Sequence, residues 1–475
     1  MSIPGIGPRT RGAGRTAKRT PVRVNPIRRH ALRRGVRLKP AQAIVSGFAS
    51  AILIGTLLLM LPIATVGPAG ATFLEALFTA TSAVCVTGLT VVDTATAFTP
   101  FGHLVILLLI QVGGLGIMFF AAVFGLVLVR KLTLSSRLTT AVETKTVGIE
   151  DMRGLLRGIL IITVVIEGGV AILLGLRFWL GYGHSLAESA WLGLFHGISA
   201  FNNAGFSLFS DSITGFATDP LISLPICLAI ILGGLGFPVI MQLRKQIRSP
   251  LRWNLNTKLV LTGTAVLLVA GTVYITAIEW NNPATLGPLD AGGKILAGFF
   301  QSVQTRTAGF NSIDIGQMNT ASLLGMDVLM FIGGGPAGTA GGIKLTTFAV
   351  LLFIMITELR GHGAVNIFHK RLSRAVHRQA ITVVLLSVGA VMTGTIVLIL
   401  VTDLSLDVLL FEATSAFGTV GLSTGITAGL PPVGQIVLIL LMFIGRLGPL
   451  TLGSAIALAE RKILYEYPKE RPAVG

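Results

Sequence analysis

The chain has 475 residues, of which 52% are hydrophobic and 12% are charged. Soluble domains carry about 25% charged residues, so this composition excludes an ordinary soluble protein and indicates extensive contact with lipid. The length accommodates eight or more spanning helices of about 20 residues each.

The net charge of +17 is unevenly distributed along the chain. Residues 1–40 contain twelve Lys or Arg, residues 41–129 contain none, and further basic clusters follow at three internal positions and near the C-terminus. Basic residues mark the cytoplasmic loops of membrane proteins. The pattern therefore predicts a multi-pass membrane protein with both termini in the cytoplasm. We interpret the charge as topology and contact with anionic membrane lipid, and expect no nucleic-acid partner.

The apolar intervals between the basic clusters contain the same unit four times. Each unit has a long helix, a short apolar segment, a turn containing glycine and a second helix. The long helices are predicted near 41–63, 155–180, 257–280 and 379–402, and the short segments near 72–84, 186–201, 291–303 and 404–417. The second helices are predicted near 101–129, 221–243, 321–358 (interrupted) and 433–459.

This repetition predicts an all-α integral membrane protein with four helix–half-helix–helix repeats around a central pore. Eight helices span the membrane, and four short half-helices enter and leave it from one side, because they are too short to cross. The predicted domains are a basic cytoplasmic N-terminal tail at 1–40 and pore repeats at 41–130, 131–250, 251–360 and 361–475, of which the third includes an intramembrane gating loop and the last the cytoplasmic C-terminus.

The four glycine turns are candidates for an ion selectivity filter. Irregular backbone at membrane depth is tolerated only where it is buried in protein or lines a water-filled cavity. Carbonyl oxygens from four turns around one axis would replace the hydration shell of a cation, and glycine permits the necessary backbone conformation. The alternative is that these glycines only form tight loops. The predicted filter residues are Val86, Thr87, Gly88, Asn203, Ala204, Gly205, Thr307, Ala308, Gly309, Thr419, Val420 and Gly421, with the ion at backbone carbonyls near the four glycines.

A glycine-rich loop, Gly333–Gly342, interrupts the second helix of the third unit. Its G-x-G-x-x-G string matches a dinucleotide-binding fingerprint, but no strand–helix–strand unit surrounds it. Arg446 takes the place of a repeated glycine in the fourth unit, and we expect it to face the pore and repel cations, with an inter-helix salt bridge as the alternative. The predicted gate residues are Gly333, Gly334, Gly335, Gly338, Gly341, Gly342, Lys344 and Arg446.

Several of these motifs together resemble one known family. The segments SAVCVTGLT at 82–90, FNNAGFSL at 201–208, RTAGFNSID at 306–314, GTVGLST at 418–424 and GGGPAGTAGGIK at 333–344 resemble the membrane subunit of the Trk/Ktr/HKT superfamily of potassium transporters. The resemblance covers about residues 41–462 and is closest to the bacterial Ktr branch. The long Arg-rich N-terminal tail departs from the minimal pattern of that branch.

The resemblance implies sodium-stimulated, channel-like uptake of K⁺ across the bacterial cytoplasmic membrane. It also implies that Gly88, Gly205, Gly309 and Gly421 are the filter glycines and that the glycine-rich loop is the gate below them. The expected partners are a second copy of the chain, forming a homodimer with one pore per subunit, and a cytoplasmic ring of regulatory subunits. That partner alone would bind nucleotide.

Two other functional classes fit the sequence less well. A secondary transporter of another fold, carrying a cation or small solute, would show discontinuous helices in inverted pairs, whereas these four units share one orientation. An enzyme is not expected, because no nucleophile–base pair or paired carboxylates are evident. Among the acidic residues, Glu75, Asp93 and Glu412 are candidates to concentrate cations near the pore mouth, with a buried structural role as the alternative for Glu412.

Overall fold

The computed structural model describes residues 40–67, 70–130, 149–361, 364–449, 451 and 453. Almost all of the predicted N-terminal tail at 1–40, the start of the predicted second repeat and residues 454–475, at the end of the predicted fourth repeat and cytoplasmic C-terminus, lie outside the described residues. The described ranges contain all four glycine turns and the glycine-rich loop.

The described chain is mostly helical. The helices are α1 (Pro40–Leu59), α2 (Phe73–Cys85), α3 (Thr94–Ala97), α4 (Pro100–Arg130), α5 (Ile149–Tyr182), α6 (Leu186–Phe201), α7 (Pro220–Leu235), α8 (Phe237–Gln246), α9 (Leu255–Glu279), α10 (Ala291–Gln304), α11 (Thr320–Phe331), α12 (Leu345–Leu359), α13 (Arg374–Val401), α14 (Leu406–Gly418) and α15 (Pro432–Leu447). A short antiparallel hairpin, β1 (Asn366–Ile367) and β2 (Lys370–Arg371), was not predicted from the sequence.

Four helices of the described chain, α1, α5, α9 and α13, are long and apolar enough to cross a membrane, and they confirm the four predicted long helices. Their most apolar windows are only 28–39% buried within the protein. Most of their surface is therefore apolar and outward-facing, which is stable in hydrocarbon and not in water. The helices α11, α12 and α15 and the segment Pro100–Gly116 of α4 are apolar but shorter. The predicted total of eight spans therefore stays a prediction.

Two of the predicted second helices are broken where continuous helix was expected, so those predictions were wrong. The helix predicted at 221–243 bends by 98° between α7 and α8. The break lies at Gly236, which has a φ of +87°, and the second residue of α8 is Pro238. The helix predicted at 433–459 breaks after Leu447, at Gly448 with a φ of +79°. A positive φ is incompatible with right-handed helix, so each glycine redirects the chain.

The four short helices α2, α6, α10 and α14 lie where short segments were predicted, and the C-terminal half of each is largely buried. Each begins at a polar residue, and the side chains of Thr72, Ser185 and Asp290 accept hydrogen bonds from the first turns of α2, α6 and α10. Each short helix also has a fully buried phenylalanine nine or ten residues before its turn glycine: Phe78, Phe195, Phe300 and Phe411.

Candidate selectivity filter and gate

Three of the short helices end in the same hydrogen-bonded turn. At the end of α2, the Val86 N–H donates to Ala83 O at 3.1 Å and the Thr87 N–H donates to Ser82 O at 2.8 Å, with Val86 in the left-handed region. This pair of hydrogen bonds is the Schellman motif, which satisfies the last carbonyl groups of a helix. The equivalent pairs close α6 and α14: Asn203 to Ala200 with Ala204 to Ser199, and Thr419 to Ala416 with Val420 to Ser415.

The turn after α10 is built differently. The Ala308 N–H donates to Gln304 O at 3.0 Å, and the Gln304 side chain accepts from the Phe310 N–H at 3.0 Å. In the sequence, the serine of this unit lies one residue further from the glycine than in the others. The glutamine side chain therefore supplies a bond that the shifted serine does not, and the turn still reaches a left-handed residue at Thr307, with a φ of +69°.

The four turn glycines meet in a closed ring. A β-carbon added to Gly88 would lie 2.5 Å from Ala204 O and 3.1 Å from the α-carbon of Gly205, and one added to Gly205 would lie 2.6 Å from Ala308 O and 2.9 Å from the α-carbon of Gly309. One added to Gly309 would overlap Val420 O, and one added to Gly421 would overlap Thr87 O, which closes the circle. Only glycine fits these four positions.

The four turns of the ring share one backbone conformation. All four glycines have positive φ, between +69° and +94°, and so do the residues two positions earlier, Val86, Asn203, Thr307 and Thr419. The N–H groups of Gly88 and Gly421 are engaged by Ser82 Oγ at 3.0 Å and Ser415 Oγ at 3.1 Å. Because these N–H groups donate to serine side chains and not to the carbonyl oxygens of the ring, those carbonyl oxygens remain available to a cation.

Three buried threonine hydroxyls in these turns have no hydrogen-bond partner among the described residues. They belong to Thr87, Thr307 and Thr419, which are all fully buried. A buried polar group without a partner is costly, and water or an ion is the usual explanation. The donor set, neutral carbonyl and hydroxyl oxygens, is typical of sites for hard monovalent cations.

A cavity of about 330 Å³ opens on one side of the ring. It is lined by the four glycines and by polar residues that include Asp93, Ser210 and Ser423. Asp93 also caps α3 and accepts from Ser210 Oγ at 2.5 Å. Of the three acidic candidates, Asp93 alone contributes to this cavity; Glu75 forms the capping box of α2, and Glu412 is fully buried and accepts from Thr427 Oγ1.

The glycine-rich loop separates α11 from α12, which confirms the predicted interruption. Backbone hydrogen bonds hold the loop at its base and along its length. The Gly333 N–H donates to Ile343 O at 2.8 Å and closes the base. The Gly335 N–H donates to Gly234 O at 2.7 Å, and the Thr339 N–H donates to Gly233 O at 3.2 Å. Gly334, Gly338 and Gly341 are buried. A β-carbon on Gly334 or Gly335 would approach the carbonyl oxygens of Gly234 or Leu235, so the loop packs against the end of α7 without room for side chains.

The same loop touches two of the glycine turns. Thr339 Oγ1 donates to Asn203 Oδ1 at 3.0 Å, and a β-carbon on Gly341 would overlap the Thr419 hydroxyl. The predicted filter and gate residues are therefore brought into direct contact, across 136 positions of sequence in the first case.

Arg446 binds the loop instead of an acidic side chain. Its guanidinium group is 1% exposed and donates to Thr339 O and to Gly113 O, the latter at 2.8 Å. Among the described residues, ion pairs join Arg177 to Asp219 and His184 to Glu188, and neither involves Arg446. The salt-bridge alternative is therefore wrong for this part of the chain. The predicted gate residue Lys344 donates to Ala340 O at 2.6 Å, inside the loop.

Sequence reasoning missed Arg306 as a further contact of the loop. It is 7% exposed and donates to Gly333 O at 3.3 Å. The sequence did mark Arg306 as unusual, because it is an isolated basic residue in an apolar interval, directly before Thr307.

A second missed feature is a buried polar network behind the turn that follows α6. Glu167 on α5 is 6% exposed and accepts from Gln111 Nε2 at 3.0 Å and Asn202 Nδ2 at 2.9 Å. Asn202 Nδ2 also donates to Gln111 Oε1 at 2.8 Å. The network links α4, α5 and the end of α6 immediately before Asn203. The signal for it was Glu167 itself, the one acidic residue between Asp151 and Glu188, in the middle of an apolar segment.

The repeated glycine pairs of the second helices have a packing role. A β-carbon on Gly113, Gly233 or Gly445 would overlap the carbonyl oxygen of Val84, Phe201 or Phe417, respectively. Each of these carbonyls lies four residues before a turn glycine. The small residue lets the second helix approach the end of the short helix directly, as small residues do between helices in membranes.

Comparison with known proteins gives consistent matches. The family described as "TrkH: Cation transport protein" matches residues 29–463. The chain is 42% identical over 435 residues to "Ktr system potassium uptake protein B" of Bacillus subtilis (strain 168), covering 91% of this chain and 96% of that protein. It is 36% identical to "Potassium/sodium uptake protein NtpJ" of Enterococcus hirae, covering 92% and 98%.

The fold also matches a solved structure, that of the potassium transporter TrkH from Vibrio parahaemolyticus. The TM-score is 0.70 over 90% of this chain and 87% of that chain, at 17% identity. At this identity the match concerns the fold.

Proposed function

Because the chain belongs to the TrkH cation transport protein family, we propose that it takes up potassium across the bacterial cytoplasmic membrane through a pore at the glycine ring. The observation that carries the proposal is the closed contact of Gly88, Gly205, Gly309 and Gly421, each with positive φ. The relatives named for potassium uptake cover nearly the whole chain. The protein is a transporter and not an enzyme.

In the proposed mechanism, a cation sheds water in the cavity beside Asp93 and enters the ring. Carbonyl oxygens of the twelve turn residues named from the sequence, chiefly those preceding each glycine, replace the lost hydration. The C-terminal ends of α2, α6, α10 and α14 add partial negative charge, and the Asp93 carboxylate raises the local cation concentration. One glycine per turn gives few ordered carbonyl layers, so sodium also permeates or stimulates transport, in line with the relative named for both ions.

The proposed barrier is the glycine-rich loop together with Arg446 and Lys344. The loop contacts Asn203 and Thr419 on one side of the ring, and Arg446 ties it to Gly113 on α4. A buried positive charge beside a narrow passage repels cations strongly, because little water screens it. Opening requires that the loop leaves these bonds, and a loop of six glycines has alternative conformations at small cost.

The proposed architecture has four pore repeats, at 41–130, 131–250, 251–360 and 361–475, with eight spans, four half-helices and both termini in the cytoplasm. The proposed assembly is a homodimer surrounded by lipid, whose cytoplasmic face binds a ring of nucleotide-binding regulatory subunits. Support for the ring comes from the relative's name, a "Ktr system" protein. Nucleotide binds only to the ring, and K⁺ is cargo, not a resident cofactor.

The test is cation flux into liposomes that contain the purified protein. Serine variants of Gly88, Gly205, Gly309 and Gly421 should each lower the ratio of K⁺ to Na⁺ uptake, because the added side chain displaces a neighbouring carbonyl. Gly183→Ser is the matched control: Gly183 also has positive φ, +73°, but a β-carbon there meets nothing within 4 Å. Unchanged ratios in all four ring variants would refute the filter assignment.

A further inference from the structure

A second cavity lies on the side of the molecule formed by α11, α12, α13 and α14. It has a volume of about 710 Å³ and apolar walls that include Phe331, Phe348, Leu352 and Val388. Leu352 and Val388 are 38% and 42% exposed, so the cleft opens on the outer apolar surface of the helices. This volume is in the range of sites that hold drug-sized molecules.

One acidic residue, Asp327 on α11, lines this apolar cleft. It is 7% exposed, and its Oδ1 atom has no hydrogen-bond partner in the described chain. No Lys, Arg or His of the described residues forms an ion pair with it. Burial of a polar oxygen without a hydrogen bond costs several kcal/mol, and an ionisable residue at membrane depth usually has a specific partner. The Oδ1 atom of Asp327 therefore remains available to accept a hydrogen bond from a molecule bound in the cleft.

We propose that the cleft binds a lipophilic amine, whose ammonium group donates to the Asp327 carboxylate while its apolar body fills the space between α12 and α13. The apolar walls select a hydrophobic body, and the single carboxylate selects a positively charged head with N–H donors. A neutral acyl chain would fill the volume but leave the carboxylate without a partner. A phospholipid headgroup is disfavoured because the walls offer almost no polar surface to it.

The occupant would also touch both ends of the glycine-rich loop. Ile332 and Ile343 line the cleft, and they face each other in a parallel bridge that closes the base of the loop. An amine wedged against this pair would hold the loop in the arrangement described here, because a ligand favours the state that it binds better. Bound amine should therefore reduce cation flux; this second step rests on the proposed gating function.

The binding test uses radiolabelled dodecylamine and the purified full-length protein in vesicles of neutral phosphatidylcholine, with protein-free vesicles subtracted. Wild type should show saturable binding, Asp327→Asn should bind at least tenfold more weakly, and Leu352→Trp should also lose binding by filling the cleft. Dodecanol should compete poorly. Equal competition by dodecanol and dodecylamine, no effect of Asp327→Asn, or no saturable binding would overturn the proposed site.

The flux test uses the same vesicles and is read separately. Dodecylamine should lower K⁺ flux through wild type and leave Asp327→Asn at its own basal rate. Binding without any change of flux would overturn the link to the loop while supporting the site. Failure of the glycine variants to change ion selectivity would instead count against the proposed filter, and would leave the binding result intact.

Discussion

At the scale of single residues, Arg446 has the least expected environment in the described chain. Its charge is buried without an acidic partner among the described residues. Its guanidinium N–H groups donate hydrogen bonds to two backbone carbonyl oxygens, those of Thr339 and Gly113. A planar guanidinium can serve two acceptors at once, which a lysine ammonium on its flexible stem does less well. Arg446 therefore links α15, on which it lies, to α4 and to the glycine-rich loop through hydrogen bonds.

We predict that Arg446→Ala raises K⁺ flux measured in liposomes without any partner, and that Arg446→Lys gives a smaller rise. A hydrogen bond to a charged group contributes about 1.5–3 kcal/mol, and coupling energies of this size shift equilibria by about 10- to 150-fold. The expected rise lies in that range.

Arg177→Ala is the control for this prediction. The Arg177 Nε–H donates to Asp219 Oδ2 at 2.7 Å, away from the loop, so its loss should affect thermal stability more than flux. If Arg446→Ala inserts and folds normally but transports no faster than wild type, the link is structural and the barrier lies elsewhere.

At the scale of helices, the network of Glu167, Gln111 and Asn202 joins α4, α5 and the end of α6 directly behind one glycine turn. We predict that Glu167→Leu lowers the K⁺-to-Na⁺ flux ratio, because Asn202 loses an acceptor and the adjacent turn loosens. Glu167→Gln keeps the shape and one acceptor and should retain more of the ratio.

The chain offers a matched control for a buried glutamate. Glu279 is also fully buried and accepts hydrogen bonds from Thr285 and Asn319, but it touches none of the glycine turns. Glu279→Gln should lower the melting temperature without changing the flux ratio. An equal change of the ratio in both glutamate variants would indicate general loosening and not support of the turn.

The glycine-rich loop is the second element that can be tested directly. Pro336 and Ala337 are half-buried residues near the middle of the loop, and Ala337 has a positive φ of +58°. Deleting these two residues should raise basal K⁺ flux, because a shorter loop cannot reach both Gly233 and Ile343. Thermal unfolding checks that the helices still pack. A stable variant with unchanged or lower flux would contradict a gating role.

At the scale of the whole molecule, the proposed function requires two kinds of partner, a second copy of the chain and a nucleotide-binding regulatory protein. We predict that the protein purifies as a dimer by native mass spectrometry. We also predict that a soluble nucleotide-binding protein co-purifies from native membranes and changes K⁺ flux when it is added back with nucleotide. Monomeric protein, or full regulated flux from the pure chain, would contradict these predictions.

The sequence by itself determined the elements. The long helices, the short helices, the turn glycines and the interruption at Gly333–Gly342 were all predicted in place, because apolar length and helix-breaking glycines act over a few residues. The same local signals gave wrong predictions for two of the second helices. The helix continues through the glycine motif at Gly116, but it is interrupted at the equivalent Gly236 and Gly448.

Only the tertiary structure decided which residues meet. The cyclic order of the four glycines, the contact of Arg446 with a carbonyl 333 positions away and the isolation of Asp327 in an apolar cleft cannot be derived from local pattern. Side-chain partners at such separations depend on how the helices pack against one another. Close packing leaves one arrangement in which the four turns converge, and that arrangement fixes the polar contacts around them.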